Sequence, residues 1–211
     1  MRESNKNMKI LAVSDIDAKY YYDYYTPGKL DGFDMILACG DLHREFLEFL
    51  VTMARCPVVY VHGNHDKRFA DAPPEGCVCA DGRIVVVNGV RILGLGGSYR
   101  YKNSKFMYTE KEMRRRVFRL RLSLWKHRGF DILLTHAPAR HINDEDTLTH
   151  RGFECFVDLL DKYKPKYFIH GHVHMNYGPH FPRKTQRGDT VIINAYDHYV
   201  FEYDGPQAAE K

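Results

Sequence analysis

Five short apolar runs, each ending in a cluster of polar residues, set the terms on which this chain folds. Ile10–Val13 leads into Ser14-Asp15-Ile16-Asp17, and Met35–Cys39 into Gly40-Asp41. Pro57–Val61 leads into His62-Gly63-Asn64-His65-Asp66, Ile132–Leu134 into Thr135-His136, and Tyr167–Ile169 into His170-Gly171-His172-Val173-His174. Apolar runs of this length, several rich in β-branched residues, read as strands of a parallel sheet buried on both faces. Polar residues at the C-terminal ends of such strands stand where open α/β sheets bind ligands. Gly63 permits a tight turn that presents an amide oxygen, an imidazole and a carboxylate within three residues. Carboxylates, one asparagine and several histidines delivered by five strand ends read most economically as one composite metal site.

The connections agree. Phe46, Leu47, Leu50, Val51 and Ala54 recur at amphipathic spacing and predict a helix over His43–Arg55. As the crossover of a βαβ unit it places Asp41 and Asn64 at the same edge of a parallel sheet. From Gly76 to Ser98 the rhythm changes: Ile84–Val87 and Val90–Leu93 flank Asn88-Gly89, a hairpin signal. Gly94, Gly96 and Gly97 follow without opening a helix, which excludes a dinucleotide-binding unit. Thr109–Lys126 is the longest helix expected, with Thr109, Glu110 and Glu112 as capping residues. Its apolar stripe is Met113, Val117, Leu120 and Leu124, widened by Phe118, Leu122 and Trp125, and its arginines 114, 115, 116, 119 and 121 read as a solvated face. A further helix is expected over Gly152–Lys162, and strands over Val191–Asn194 and His198–Tyr203. The tyrosines of Tyr20–Tyr25 read as a loop and helix start packed on the core.

A chain of 211 residues with 44% hydrophobic residues suits one domain, taken as 1–204, with a disordered tail at 205–211. The net charge of +4 admits an anionic substrate without demanding a nucleic acid. No apolar run is long enough for a membrane span or a signal segment. The odd count of five cysteines, with Cys39 and Cys56 in or beside buried strand patterns, suits free thiols and a cytoplasmic protein. Cys77 and Cys79 read as structural.

Taken in order, Asp15-x-Asp17, Gly40-Asp41, Gly63-Asn64-His65-Asp66, Thr135-His136 and Gly171-His172-x-His174 resemble the motifs of the calcineurin-like metallophosphoesterases, from the first strand to about Met175. The resemblance implies a four-layer α/β/β/α sandwich of two mixed sheets flanked by helices. It implies two divalent metals bridged by Asp41, with Asn64, His136 and His172 on one and Asp15 and His174 on the other. Mn²⁺ is favoured, and Fe, Zn²⁺ or Mg²⁺ also suit such a donor set. The sequence departs from the family at Asp17, where the common pattern has His. Either Asp17 coordinates and hardens the site toward Mn²⁺, or water fills the gap and that metal binds weakly, or the site is mononuclear.

The activity implied is metal-dependent phosphoester hydrolysis, in which a bridging hydroxide attacks phosphorus and His65, not itself a ligand, assists the leaving group. Asp66 is expected to orient His65; His62 and His170 are expected to pack or to accept a backbone bond. The Asp-Arg-Gly of the family's protein phosphatases is missing after Gly40-Asp41, which points to a phosphodiesterase acting on small or exposed diesters. Arg44, Arg68 and His150 are the candidates for touching substrate, with Arg140 and His141 behind the centre. Two rival readings are a protein-interaction scaffold, as in the retromer subunit that reuses this fold, and a nuclease, which rests on the arginine-rich helix and the tyrosines.

Overall fold

The computed structural model describes residues 7–175 and 182–205; of the tail expected to be disordered, 206–211 lies outside that range. The first half of the chain lays down β1 (Met8–Ser14), β2 (Met35–Ala38), α1 (Arg44–Ala54), β3 (Val58–Tyr60) and β4 (Val78–Cys79), all four strands parallel. The second half adds β5 (Arg83–Val87), β6 (Val90–Leu95), the small pair β7 (Ser98–Tyr99) and β8 (Met107–Tyr108), then α2 (Glu110–Arg119) and α3 (Arg121–Lys126). It closes with β9 (Ile132–Thr135), α4 (Glu154–Tyr163), β10 (Tyr167–His170), β11 (Lys184–Arg187), β12 (Thr190–Asn194) and β13 (Asp197–Tyr203). Among the described residues one sheet has the order β13-β1-β2-β3-β4 and the other β11-β12-β10-β9-β6-β5. Antiparallel strands occupy the edges at β13, β11 and β5.

The unbroken apolar runs are explained by what lies on either side of them. On β1, Ile10 and Ala12 face a core shared with Leu37 and Val59, and with Ile92, Leu134, Ile169 and Ile193 of the other sheet. Their neighbours Leu11 and Val13 face outward, in a second core with Phe46, Leu47 and Leu50 of α1. On the far side Leu93, Leu133 and Phe168 pack against Met113, Leu124, Phe156 and Leu160. Strands wet on neither face need no polar alternation, and the layers run α/β/β/α as expected.

The Asn88-Gly89 hairpin forms in the expected register, Val87 opposite Val90, with φ of 50° and 81° at the two turn residues. Both lie in the left-handed region that a type I′ turn requires. The helix expected over Thr109–Lys126 is instead α2 and α3, joined at Leu120, whose amide closes a tightened turn on Val117 at 3.0 Å. Thr109 and Glu112 form the capping box, each side chain bonded to the other's backbone amide.

A buried ion cluster ties α2 to the loop after β3. Asp81 accepts from His62 Nδ1 (2.7 Å) and the Gly96 amide (2.7 Å) and pairs with the Arg116 guanidinium. Burial alone would raise the Asp81 carboxyl; the bond from His62 and the charge of Arg116 outweigh it and hold the group below the usual carboxylate range. A carboxyl that is more acidic in the folded state stabilises fully above the ordinary carboxylate pKa of about 4. That contribution is lost as the pH falls through that range toward the folded value. The melting temperature should therefore fall more steeply on acidification in the native chain than in Asp81→Asn, which also loses about 3 kcal/mol at neutral pH by stranding its partners. Parallel acid profiles would remove Asp81 from this role.

Candidate metal centre

Asp15, Asp41, Asn64, His136 and His172 all follow the C-terminal ends of parallel strands, β1, β2 and β3 in one sheet and β9 and β10 in the other. Asp15, Asp41 and His172 have φ of 71°, 56° and 68°, a left-handed conformation that non-glycine residues hold only where the surroundings impose it. The motif glycines let these loops touch. A Cβ on Gly63 would overlap the Asp41 carboxylate, and one on Gly171 would overlap Ser14 Oγ and crowd Asp15. Gly171→Ala is thus expected to cost about 1–3 kcal/mol and to lower metal content by displacing Asp15. Thermal denaturation and elemental analysis check it, and an unchanged melting temperature would mean that the loops yield freely.

The ligating atoms of Asp15, Asp41, His136 and His172 lie within 4.8 Å of one another. His136 Nδ1 donates to the Cys39 carbonyl (2.8 Å), which leaves Nε2 facing Asn64 Oδ1 (3.1 Å) and Asp41 Oδ2 (3.3 Å). His172 Nε2 donates to the Thr149 carbonyl (2.7 Å), which leaves the lone pair on Nδ1. Carbonyl oxygens only accept, so Thr149 fixes the His172 tautomer and Cys39 keeps a proton on His136 Nδ1. His174 Nε2 stands 3.8 Å from Asp15 Oδ1.

The charges show what the group lacks. Burial pushes the Asp15 carboxyl up. Burial would also raise Asp41, but the charge and hydrogen bond of His136 outweigh it and bring the carboxyl down to about 2. The same pairing, chiefly with Asp41, overcomes the burial of His136 and lifts its imidazole to about 9. Burial and the neighbouring His136 push His172 down to about 3. The raised His136 imidazole and the lowered Asp41 carboxyl mark this as a place where positive charge is stabilised. Two carboxylates, an amide oxygen and a neutral imidazole around that charge fit a divalent cation, whose binding would displace the His136 proton.

The other expected residues divide. Asp17 lies outside the group: its carboxylate accepts from the His43 amide (3.1 Å) and bonds to His43 Nδ1 (2.8 Å), so the chain after Asp15 turns it toward the start of α1. Asp66, expected to orient His65, is buried with Oδ2 on the amides of Gly63 (2.7 Å) and Asp41 (2.9 Å) and makes no hydrogen bond to His65. It clamps two motif loops together, and burial beside Asp41 raises it to about 6. His65 projects with 67% of its side chain exposed and Nε2 3.9 Å from Asp41 Oδ2.

Above the group opens a cavity of 820 Å³ whose walls include His65, Arg44, Arg68, Tyr101 and His150. Arg44 is engaged by Glu48 (2.6 Å) and Glu75 (3.2 Å), whereas the guanidinium of exposed Arg68 makes no hydrogen bond or ion pair among the described residues. His150 Nδ1 bonds to Glu145 (2.9 Å), and Arg140 is held by Asp144 and Asp146 (both 2.8 Å). Tyr21, Tyr22 and Tyr25 pack on Phe33, Phe46 and Phe49, the packing role expected of that stretch. Tyr101 and Thr149 were not foreseen: nothing in the sequence sets the first apart from neighbouring Tyr99 and Phe106, and the second acts through its carbonyl, which no residue type announces.

A family model described as calcineurin-like phosphoesterase matches residues 8–176, the span that carries all five strand-end motifs. The chain belongs to the calcineurin-like phosphoesterase family. It is 26% identical over 201 residues to an uncharacterized protein of Haemophilus influenzae, covering 79% of this chain and 85% of that one. Of solved structures, one superposes with a TM-score of 0.65 at 12% identity, covering 93% of this chain and 95% of the other. The protein TT1561 of Thermus thermophilus superposes with a TM-score of 0.56 at 16% identity, covering 91% of this chain and 90% of that one. At these identities the superpositions speak for the fold alone. As a calcineurin-like phosphoesterase the chain is a phosphoester hydrolase in general terms, and Asp15, Asp41, His136 and His172 form its candidate metal-binding group.

Proposed function

We propose that this chain is a metal-dependent phosphodiesterase holding two divalent cations, Mn²⁺ foremost, on Asp15, Asp41, Asn64, His136, His172 and His174, with Asp41 shared. The observation that carries the proposal is the convergence of Asp15, Asp41, His136 and His172 within 4.8 Å beside an open cavity of 820 Å³. When bound, such ions would acidify a water and offset the charge that builds on phosphorus. Everything else is the work of the chain. Asp66 and the motif glycines hold the loops in place, and His172 presents a neutral imidazole oriented by Thr149. His65 projects from the cavity wall, where a substrate's leaving oxygen would accept its proton.

The preference for a diester rests on charge. Arg44 is neutralised by two glutamates, so Arg68 is the cavity arginine left to meet substrate. One free guanidinium matches the single negative charge of a diester better than the double charge of a monoester. Arg68→Ala should raise KM for a diester about five-fold, the size of one exposed charge contact, with kcat little changed; a fall in kcat alone would contradict a binding role. The reading as a whole is tested by hydrolysis of bis-p-nitrophenyl phosphate beside p-nitrophenyl phosphate, on protein stripped of metal and titrated with Mn²⁺, Zn²⁺, Fe²⁺ and Mg²⁺. Metal-restored turnover favouring the diester is expected; faster turnover of the monoester would overturn the substrate class.

A further inference from the structure

The α2–α3 segment carries apolar surface and charge that neither the core nor the metal centre uses. From Met113 to Phe130 the sequence holds no carboxylate but six arginines and Lys126. Arg116 turns inward to Asp81, and Arg114 is paired with Glu110 and Asp158. Arg115 and Arg119 are exposed, and Arg121 lies over the Phe118 ring at 4.2 Å. Between these basic side chains stand Phe118, Leu122 and Trp125, with 63%, 70% and 81% of their surfaces exposed. Phe118 stands near the end of α2 and Leu122 and Trp125 on α3, all three exposed while Met113, Leu120 and Leu124 of the same segment are buried. Three large apolar residues this exposed within eight positions of one segment are surface that a lone domain has no reason to wet.

We propose that this face docks the protein on an anionic lipid surface, the three apolar side chains entering the headgroup boundary and the arginines meeting lipid phosphates. Charge complementarity selects the occupant. A second copy related by two-fold symmetry would set arginine against arginine. A nucleic acid would engage the arginines and leave the apolar side chains in water. An anionic bilayer takes both at once, and a basic helical segment with exposed Trp, Phe and Leu offers the apolar side chains and the cations that interfacial binding uses. Association is peripheral, since no helix of the described residues is long and apolar enough to cross a membrane.

Trp125 is the one tryptophan of the chain, so its emission reports on this face directly. The full chain is mixed with vesicles of phosphatidylcholine containing phosphatidylglycerol and, separately, of phosphatidylcholine alone. The expected result is a blue shift and co-sedimentation with the anionic vesicles, weakened by salt, and little of either with the neutral ones. Phe118→Ser combined with Leu122→Ser should reduce sedimentation at least ten-fold while the melting temperature and phosphoester hydrolysis stay near native. Arg115→Gln and Arg119→Gln should each weaken it about five-fold. Failure to sediment with anionic vesicles would overturn the proposal. So would binding to duplex DNA or RNA without a shift in Trp125 emission, or a blue shift that follows protein concentration without lipid.

Discussion

Asp41→Asn is expected to abolish most phosphodiester turnover and to leave the protein without tightly held metal. Asp41 Oδ2 faces His136 at 3.3 Å, Oδ1 accepts the His65 amide at 2.7 Å, and its own amide is clasped by Asp66 at 2.9 Å. The substitution keeps the volume and the backbone bonds, so the fold survives. What disappears is the negative charge on which the proposed shared ligand depends, and with it the main influence holding His136 at about 9. Loss of metal-derived stabilisation worth several kcal/mol corresponds to about 10³-fold in rate. Metal content after gel filtration, read beside kcat, separates this from a folding defect: native metal content with native kcat would contradict the role given to Asp41.

His65→Ala should behave differently, losing on the order of 10²–10⁴ in kcat with metal content unchanged. The ring is largely exposed, and the bond that anchors this residue to Asp41 comes from its backbone amide, which alanine keeps. A proton donor matters most when the leaving group is a poor one. The loss should therefore be larger for a diester with an alkoxide leaving group than for bis-p-nitrophenyl phosphate. Equal losses on the two substrates would assign His65 a role other than proton donation.

The strands that build the centre were legible because their burial on both faces writes itself as unbroken apolar sequence, and the turn at Asn88-Gly89 because only certain residues adopt its dihedrals. β11 was not legible: Lys184-Thr185-Gln186-Arg187 is a polar edge strand, held by pairing to β12 rather than by burying a face. Nor was the break at Leu120, since the apolar spacing runs through it undisturbed. Within the site, residue type and strand-end position pointed to the polar clusters, and the family resemblance singled out Asp15, Asp41, Asn64, His136 and His172 among them as expected ligands. Orientation was beyond them. Whether Asp17 reaches the centre or His43 is decided by the backbone after a left-handed residue, and whether Asp66 serves His65 or two amides by the approach of loops more than twenty residues apart. The partners that neutralise Arg44 include Glu75, 31 residues away.

Asp17 also shapes the most direct test of the central claim. With its carboxylate on His43, the proposed ion at Asp15 and His174 has fewer protein ligands and should bind more weakly than its neighbour. The decisive measurement is turnover of bis-p-nitrophenyl phosphate against Mn²⁺ bound per chain, on protein first stripped of metal. Little turnover is expected at one equivalent and a rise that follows the second, weaker equivalent, with both lost in Asp41→Asn. Two ions bound per chain with no turnover of this diester, or activity indifferent to metal, would contradict it.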